Sequence, residues 1–514
     1  MGVGKVYLVG AGPGDPGLLT VKGQELLRRA EVVIYDHLVA PVLLQRCRPG
    51  ARLVYVGKQA NRHAASQSDI NQRLIRAAKA GRCVVRLKGG DPFLFGRGAE
   101  EASALARAGI GFEIVPGVTS ALAVPAYAGI PLTERSRSSS VAILTGHEDP
   151  AKRTSAIRWK QVSSACDTLV FLMGVSTLAG LVAQLRRHGR RASTPAAVIE
   201  WGTWPQQRTT AGTLATIVER AARARVGPPA ILVVGEVVRL RHQLNWFESK
   251  PLIGRRILVT RASNKAGELA RQLETLGAQV EELPAIALAP VKANGEFRQA
   301  LRELPKTDWV FFTSPEGIGW FDRSLRPQHK TISVLSGCRI GAIGPKTASA
   351  IEEAGLHVDF VPRRFSQEGL LADLPRSVLR GKRALILSAQ ESREALVEGL
   401  RRRGVAVRKV PIYRTVMPAS LTRRVREVFR QPFDLITVTS ARCVAHLEEA
   451  LRRSGLRAVF ARQRFASIGP VTSEAVRVLG GQVAIEAGIS TIEGLIDAMT
   501  RQAGRSALRR KAAA

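Results

Sequence analysis

A strand-like apolar run, Val6 to Val9, leads directly into Gly10-Ala11-Gly12-Pro13-Gly14-Asp15-Pro16-Gly17, and a helical pattern follows from Leu18 to Arg29. A glycine-rich turn between strand and helix is where open α/β sheets place ligands. Two prolines stand in this turn, and proline has no backbone N–H. A loop built to cradle pyrophosphate needs those donors. The turn therefore reads as a stiff wall for a small ligand that is not mainly anionic.

The same grammar continues down the chain. Glu31–Tyr35, Cys83–Leu87 and Phe112–Val115 read as further strands, with a helical pattern at Ile70–Lys79. Strands alternating with helices predict a mainly parallel sheet. Pro116-Gly117-Val118-Thr119-Ser120 reads as a break into a second layer, and strands resume at Ser140–Thr145, Thr168–Met173, Ala196–Glu200 and Ala230–Val234. This places a first domain at 1–248, with subdomains of 1–116 and 117–248. Asn245 to Leu252 reads as a hinge (the linker proper at 249–253), and a fresh strand begins at Arg256. A chain of 514 residues exceeds one ordinary core, so about two to four domains are expected.

Beyond the hinge the chain repeats itself. Gly254-Arg255-Arg256-Ile257-Leu258-Val259 matches Gly381-Lys382-Arg383-Ala384-Leu385-Ile386, 127 residues on. Gly277 with Pro284 matches Gly404 with Pro411 at the same offset. Thr313-Ser314 matches Thr439-Ser440, and Gly344-Pro345-Lys346-Thr347 matches Gly469-Pro470-Val471-Thr472, at offsets of 126 and 125. The period is far longer than that of solenoid repeats, so this is a duplicated domain. Two like α/β lobes predict a ligand cleft between them. Residues 503–514 read as a basic, frayed tail.

Charge is the outstanding bulk property. Against 42 Asp and Glu stand 77 Lys and Arg, a formal net charge of +35, which predicts attraction to polyanions. Runs such as Arg401-Arg402-Arg403 also read simply as solvated helix faces. Cys47, Cys83, Cys166, Cys338 and Cys443 include no Cys-x-x-Cys pair, so the expectation is a reducing cytoplasm with no disulfide framework or zinc ribbon. His37, His63 and His147 lack metal-ligand spacing, and no metal is expected. The N-terminus shows no signal-peptide pattern, and no apolar run reaches the ~20 residues of a membrane span.

Two readings compete for the Gly10 turn. A dinucleotide fingerprint would use Gly10 and Gly12, with Asp36 as ribose ligand, but its third position holds Asp15, which would crowd the helix and repel phosphate. The run Val85-Arg86-Leu87-Lys88-Gly89-Gly90-Asp91-Pro92-Phe93-Leu94-Phe95-Gly96-Arg97-Gly98 puts paired glycines and a carboxylate at a strand end. It is either a close-approach site for a ligand or an Asx-type turn.

Together, Gly10–Thr20, Val85–Gly98, Val115–Ser120, Ala128–Thr133, Thr145-Gly146-His147 and Phe171-Leu172-Met173-Gly174 resemble uroporphyrinogen-III C-methyltransferases over residues 4–248. The resemblance implies the class III (tetrapyrrole) methyltransferase fold, two α/β subdomains with S-adenosyl-L-methionine between them. It implies two successive carbon methylations that yield precorrin-2 and S-adenosyl-L-homocysteine. Carried across by motif, the cofactor would touch Pro13, Gly89, Gly90, Asp91, Leu94, Thr119, Ser120, Met173 and Gly202. The proton acceptor would be Asp36, the proton donor Lys58, and Arg97 would face the substrate carboxylates. Gln59–Ala65 and Trp201 depart from the family's usual residues, at the lip of the substrate site and beside a cofactor contact.

The duplicated half resembles uroporphyrinogen-III synthase, more loosely, through Phe312-Thr313-Ser314, Gly344–Thr347, Pro411-Ile412-Tyr413-Arg414 and Gly469–Thr472. The resemblance implies a two-lobed duplicated α/β fold over 254–502, with lobe one at 254–287 plus 414–502 and lobe two at 288–413. It implies ring closure of hydroxymethylbilane with inversion of the last ring and loss of water. Tyr413 is the candidate for assisting that loss, or a packing tyrosine between lobes. Thr313, Ser314, Thr347, Thr439, Ser440 and Thr472 are candidates to bind substrate carboxylates, or helix caps. Ser388-Ala389-Gln390 replaces a more usual Arg-Gly, so one carboxylate contact is expected to be absent.

Both substrates carry eight carboxylates, which offers the basic surface a small-molecule partner. The reading is a bifunctional cytoplasmic enzyme of siroheme and cobalamin synthesis, homodimeric through its methyltransferase, with no membrane partner. The alternatives are a synthase-like half without catalysis, or a basic nucleic-acid-binding regulator. The second lacks a helix-turn-helix, a zinc finger or an aromatic stacking platform.

Overall fold

The computed structural model describes residues 3–57, 66–147, 155–291 and 295–512. The chain divides into two compact units: Met1–Arg256 with Arg271–Val280 and Thr500–Ala514, and Ile257–Ala270 with Glu281–Met499. The first unit holds two five-stranded sheets, and the other two sheets belong mainly to the second.

Sheet one comprises β1 (Val6–Gly10), β2 (Val32–Tyr35), β3 (Arg52–Tyr55), β4 (Val84–Lys88) and β5 (Phe112–Val115), in the order β3-β2-β4-β1-β5. Every pairing in it is parallel. Val6 and Leu8 pack with Ile70, Leu74 and Leu105 on one face, while Val9 packs with Leu26, Leu27 and Leu87 on the other. Burial on both faces is why these strands read as continuous apolar runs. The helix expected from Ile70 starts at Gln67, because Ser66 and Asp69 form a reciprocal capping box.

Sheet two comprises β6 (Val141–Thr145), β7 (Thr168–Leu172), β8 (Pro195–Glu200), β9 (Arg208–Thr213) and β10 (Ala230–Val234), in the order β6-β7-β10-β8-β9. Only β6 and β7 pair in parallel. The sequence reading missed β3 and β9. Both are edge strands that leave much of their surface to solvent, so neither shows a clear apolar pattern. Asn245–Leu252 is not the free hinge its position suggested: Phe247 and Leu252 are buried, and Leu252 N donates to Leu276 O at 3.0 Å.

In the duplicated half, β11 (Arg256–Val259), β12 (Gln279–Glu282), β18 (Leu435–Val438), β19 (Arg464–Ser467) and β20 (Gln482–Glu486) form one sheet, ordered β12-β11-β18-β19-β20. The other sheet contains β13 (Ala287–Pro290), β14 (Trp309–Phe312), β15 (Arg339–Ala342), β16 (Arg383–Ala389) and β17 (Ala406–Val416), ordered β13-β17-β16-β14-β15. Aligned by the repeat, β12, β11, β18 and β19 correspond to β17, β16, β14 and β15. The two lobes therefore share one strand order, yet each is assembled from the first part of one repeat and the second part of the other. Thr260 and Thr437 fasten this exchange, each donating its buried hydroxyl to a carbonyl of the neighbouring strand, at 2.7 Å to Thr437 O and 3.1 Å to Leu258 O.

The exchange predicts that neither repeat folds alone. Fragments 254–380 and 381–502 produced separately should show no cooperative thermal transition, because β11 lacks β18 and β14 lacks β16. A sharp melt from either fragment by itself would contradict this.

Candidate functional sites in the two units

In the first unit the turns after β1, β4 and β5 converge at the carboxyl ends of three adjacent parallel strands, the usual ligand crevice of such sheets. They meet backbone to backbone. A Cβ on Gly10 would lie 2.4 Å from Gly117 Cα, and one on Gly117 would lie 2.3 Å from Gly90 O. Gly12 and Gly90, both at positive φ, exchange two hydrogen bonds, at 2.8 Å from Gly90 N and 3.3 Å from Gly12 N. A Cβ on Gly90 would point toward Thr119 Cα and Ser120 N, 4.0 and 3.9 Å away, without a clash. The Asx-turn reading of Asp91 is realised: its carboxylate accepts from Phe93 N, Leu94 N and Gly117 N at 2.8, 3.1 and 3.0 Å. That role ties the turn after β4 to the one after β5.

The second subdomain supplies the opposite wall. Leu94 reaches out of the β4 turn to pack with Val124, Leu172 and Ile199. Thr119 caps the helix Ser120–Tyr127, accepting from Ala121 N. Gly202 sits where a Cβ would strike Val124 at 2.2 Å, flanked by Trp201 and Thr203 in left-handed conformations. Met173, also left-handed, stands half-exposed at the end of β7. Pro13 O accepts from Trp204 Nε1 at 3.1 Å, and a Cβ on Gly14 would enter the Trp204 ring.

Asp36 follows β2 at the rim. Its Oδ2 accepts from Arg86 Nη2 at 3.2 Å and its Oδ1 from Leu38 N at 3.2 Å. Arg86 is buried and donates its Nε to Glu101 Oε1 at 3.1 Å, and Lys88 Nζ donates to the same oxygen at 3.0 Å. Burial, then the neighbouring Arg86, pulls the Lys88 pKa down, and Glu101 opposes them. Glu101 Oε2 is buried with no hydrogen-bond partner among the described residues. The sequence reading did not single out Arg86, Lys88 or Glu101. The available signal was a cation inside an apolar parallel strand, which is buried on both faces and must find a carboxylate. Arg97 lies at the N-terminus of the helix Gly98–Arg107 and is bidentate to Glu100 at 2.7 Å, both groups largely exposed. Lys58 and His63 fall outside the described residues.

In the second unit a cavity of about 900 Å³ opens beside the two chain crossings between lobes, lined by Pro284, Ile286, Leu288, Ile318, Trp320 and Arg424 among others. The six Ser and Thr candidates are not among its lining residues. Thr313 and Ser314 follow β14 and Thr439 and Ser440 follow β18, while Thr347 and Thr472 lie in the first turns of the helices Pro345–Glu353 and Pro470–Val478. Ser314 and Ser440 cap helices, accepting from Gly317 N and Cys443 N at 3.2 Å, and Thr347 and Thr472 are buried. Tyr413 is buried and does not line the cavity either; its hydroxyl lies 2.8 Å from Ser314 Oγ. Burial raises the Tyr413 phenol, and the Ser314 hydrogen bond opposes it. Ser388, where a cation was expected to be absent, is buried and bonded to Ala389 O and Ser392. Among the described residues no group of His, Cys, Asp or Glu is arranged to hold a metal ion.

The buried charges make a stability prediction. Arg86→Met removes the shared partner of Asp36 and Glu101, and should destabilise the first unit by about 3–5 kcal/mol, read from urea unfolding. An unchanged midpoint would show that the ion network carries no weight.

The tetrapyrrole (corrin/porphyrin) methylase family model matches residues 5–218, and that of uroporphyrinogen-III synthase HemD matches residues 267–497. The chain is 36% identical over 502 residues to the porphyrin biosynthesis protein HemD of Ruminiclostridium josui, covering 98% of each. It is 42% identical over 355 residues to the uroporphyrinogen-III C-methyltransferase of Bacillus subtilis, covering 69% of this chain and 72% of that protein. The S-adenosyl-L-methionine-dependent uroporphyrinogen III methyltransferase of Methanosarcina barkeri is 52% identical over 237 residues, 46% of this chain and 93% of that protein. The α/β sheets and these relationships lead to one conclusion: the chain belongs to the family that joins a uroporphyrinogen-III C-methyltransferase to a uroporphyrinogen-III synthase.

Proposed function

We propose that the second unit closes hydroxymethylbilane to uroporphyrinogen III and the first methylates that product twice, to precorrin-2. The observation that carries the reading is the backbone-to-backbone meeting of the turns after β1, β4 and β5 at Gly10, Gly90 and Gly117, at the carboxyl ends of their strands. The residues present suit S-adenosyl-L-methionine: the prolines of the β1 turn remove N–H donors for phosphate, and Gly90 faces the backbone of Thr119 and Ser120 without a clash. Bound there, that cofactor supplies a sulfonium-activated methyl group to an electron-rich pyrrole carbon. Pro13, Gly89, Gly90, Leu94, Thr119, Ser120, Met173 and Gly202 would hold and align it, and alignment does much of the work in such a displacement. Asp36, oriented by Arg86, takes the proton released as the pyrrole regains its aromaticity. Lys58 is the proposed donor, and Arg97 binds substrate carboxylate by exchanging its Glu100 partner.

In the second unit the lobes hold the linear substrate in the fold that yields the inverted isomer. The Tyr413 phenol, kept protonated by burial, donates its proton to the departing hydroxyl, which leaves as water. The candidate Ser and Thr hydroxyls take substrate carboxylates. The same reading places the enzyme in the cytoplasm as a homodimer through its methyltransferase, with polycarboxylate tetrapyrroles rather than nucleic acid or membrane as partners.

Incubation of the protein with hydroxymethylbilane tests both halves. Uroporphyrinogen III should accumulate without S-adenosyl-L-methionine, and precorrin-2 should form with it. Formation of uroporphyrinogen I alone would reject the synthase reading. Asp36→Asn should slow methylation by about 100-fold or more while leaving isomer III formation intact. Tyr413→Phe should do the reverse, slowing ring closure by at least about tenfold with methylation of supplied uroporphyrinogen III unchanged. Full activity in either variant removes that residue from the chemistry.

A further inference from the structure

The segment that leaves the first unit is built into the turn after β1. Glu248 is largely buried, and its Oε1 accepts from Gln207 Nε2 at 2.9 Å. Gln207 Oε1 accepts from Thr203 N at 2.7 Å, and Thr203 Oγ1 accepts from Asp15 N at 3.0 Å. Thr203 and Gln207 are buried, and Thr203 is left-handed at φ 69°, a conformation that a residue with a Cβ keeps only when its surroundings hold it. Next to Thr203, Trp204 donates to Pro13 O and fills the place of a Gly14 side chain. Glu248 Oε2 is in turn held by Arg241 Nη2 at 2.5 Å, and Arg241 also bonds to Ala128 O.

A second line reaches the same aspartate. Tyr127 donates its hydroxyl to Asp15 Oδ2 at 2.7 Å. Its ring packs against Trp246 and Phe247, with centroids 5.0 and 4.9 Å away. Trp246 Nε1 donates to Ala126 O at 3.0 Å, so the strap is fastened to the helix whose N-terminus carries Thr119 and Ser120. Burial and the Asp15 carboxylate raise the Tyr127 pKa, which keeps it a donor. Asp15 thus has its N–H and its carboxylate fixed by two independent routes that both begin in Trp246–Glu248.

We propose that Glu248 is a positioning residue for the methyl donor: acting through Gln207 and Thr203, with Trp246 and Phe247 acting through Tyr127, it fixes the Asp15 turn in the shape that binds the cofactor. The proposal rests on the reading that the Gly10–Gly17 turn belongs to the cofactor site. It gives the segment Trp246–Glu248 a task in the first unit's chemistry.

The test uses the full chain, with S-adenosyl-L-homocysteine as calorimetric probe. Glu248→Ala should raise its Kd about tenfold and raise KM for S-adenosyl-L-methionine in parallel. KM for uroporphyrinogen III, kcat at saturating donor and synthase activity should stay at the parent values. Glu248→Gln keeps an acceptor for Gln207 and should restore most of the affinity. Tyr127→Phe keeps the ring packing, loses only the hydroxyl, and should raise Kd in the same direction, which covers the case of a Glu248→Ala chain that does not fold. A purely structural role would lower the melting temperature of these variants without separating the two KM values. A Kd within twofold of the parent in Glu248→Ala and Tyr127→Phe, or equal shifts in both KM values, overturns the proposal. Gly90→Ala separates it from the reading beneath it: lost probe binding there, with Glu248→Ala unaffected, refutes the positioning role alone. Normal probe binding in Gly90→Ala refutes the site and the proposal together.

Discussion

Three strand ends in the first unit can lie side by side only because Gly10 and Gly117 have no side chains. A Cβ at Gly10 or Gly117 would fall within 2.3–2.7 Å of backbone atoms of a neighbouring turn. Real Cβ atoms do not tolerate such contacts, so any larger residue would part β1, β4 and β5 at their carboxyl ends. The rest of the crevice follows. Asp91 uses its carboxylate to tie the β4 turn to Gly117, Leu94 is carried across into the second subdomain, and Gly90 faces the backbone of Thr119 and Ser120 without a clash.

Each proposed reacting group is held from behind. Asp36 stands at the rim but is oriented by a guanidinium inside the sheet, and that guanidinium is bound to Glu101, which Lys88 shares. Burying Arg86, Lys88 and Glu101, the last with an orphaned oxygen, costs more than apolar packing of the same volume would. The arrangement makes sense as fixed electrostatics beneath a proton acceptor. In the second unit Tyr413 follows the same logic at lower charge, with a buried phenol and Ser314 as its polar partner.

The legible parts of the sequence were those governed by local rules. The buried strands β1, β4 and β10 announced themselves as short apolar runs, and the turns that follow β1, β4 and β5 as glycine clusters. β3 and β9 were hidden because an edge strand exposes much of its surface and loses its pattern. Asp36 and the glycines were found by their place at strand ends. Arg86 and Glu101 were passed over because a charge inside an apolar segment has no local partner to reveal it. Likewise Asn245–Leu252 has a linker's position and composition, and nothing nearby in sequence indicates that Trp246 and Glu248 answer to Tyr127 and Gln207.

By itself the sequence determined the alternation of strand and helix, the two glycine turns and the duplication at a spacing near 127 residues, because hydrophobic period, turn chemistry and self-similarity are properties of short windows. No local pattern decided that each lobe would be made from parts of both repeats; the family resemblance implied it, and the strand pairing that makes it is tertiary. Pairing β11 with β18 joins segments more than 170 residues apart, as the hydrogen bonds between Thr260 and Thr437 record. Which of several similar strands pairs with which depends on the burial of the whole sheet, and no short window contains that information.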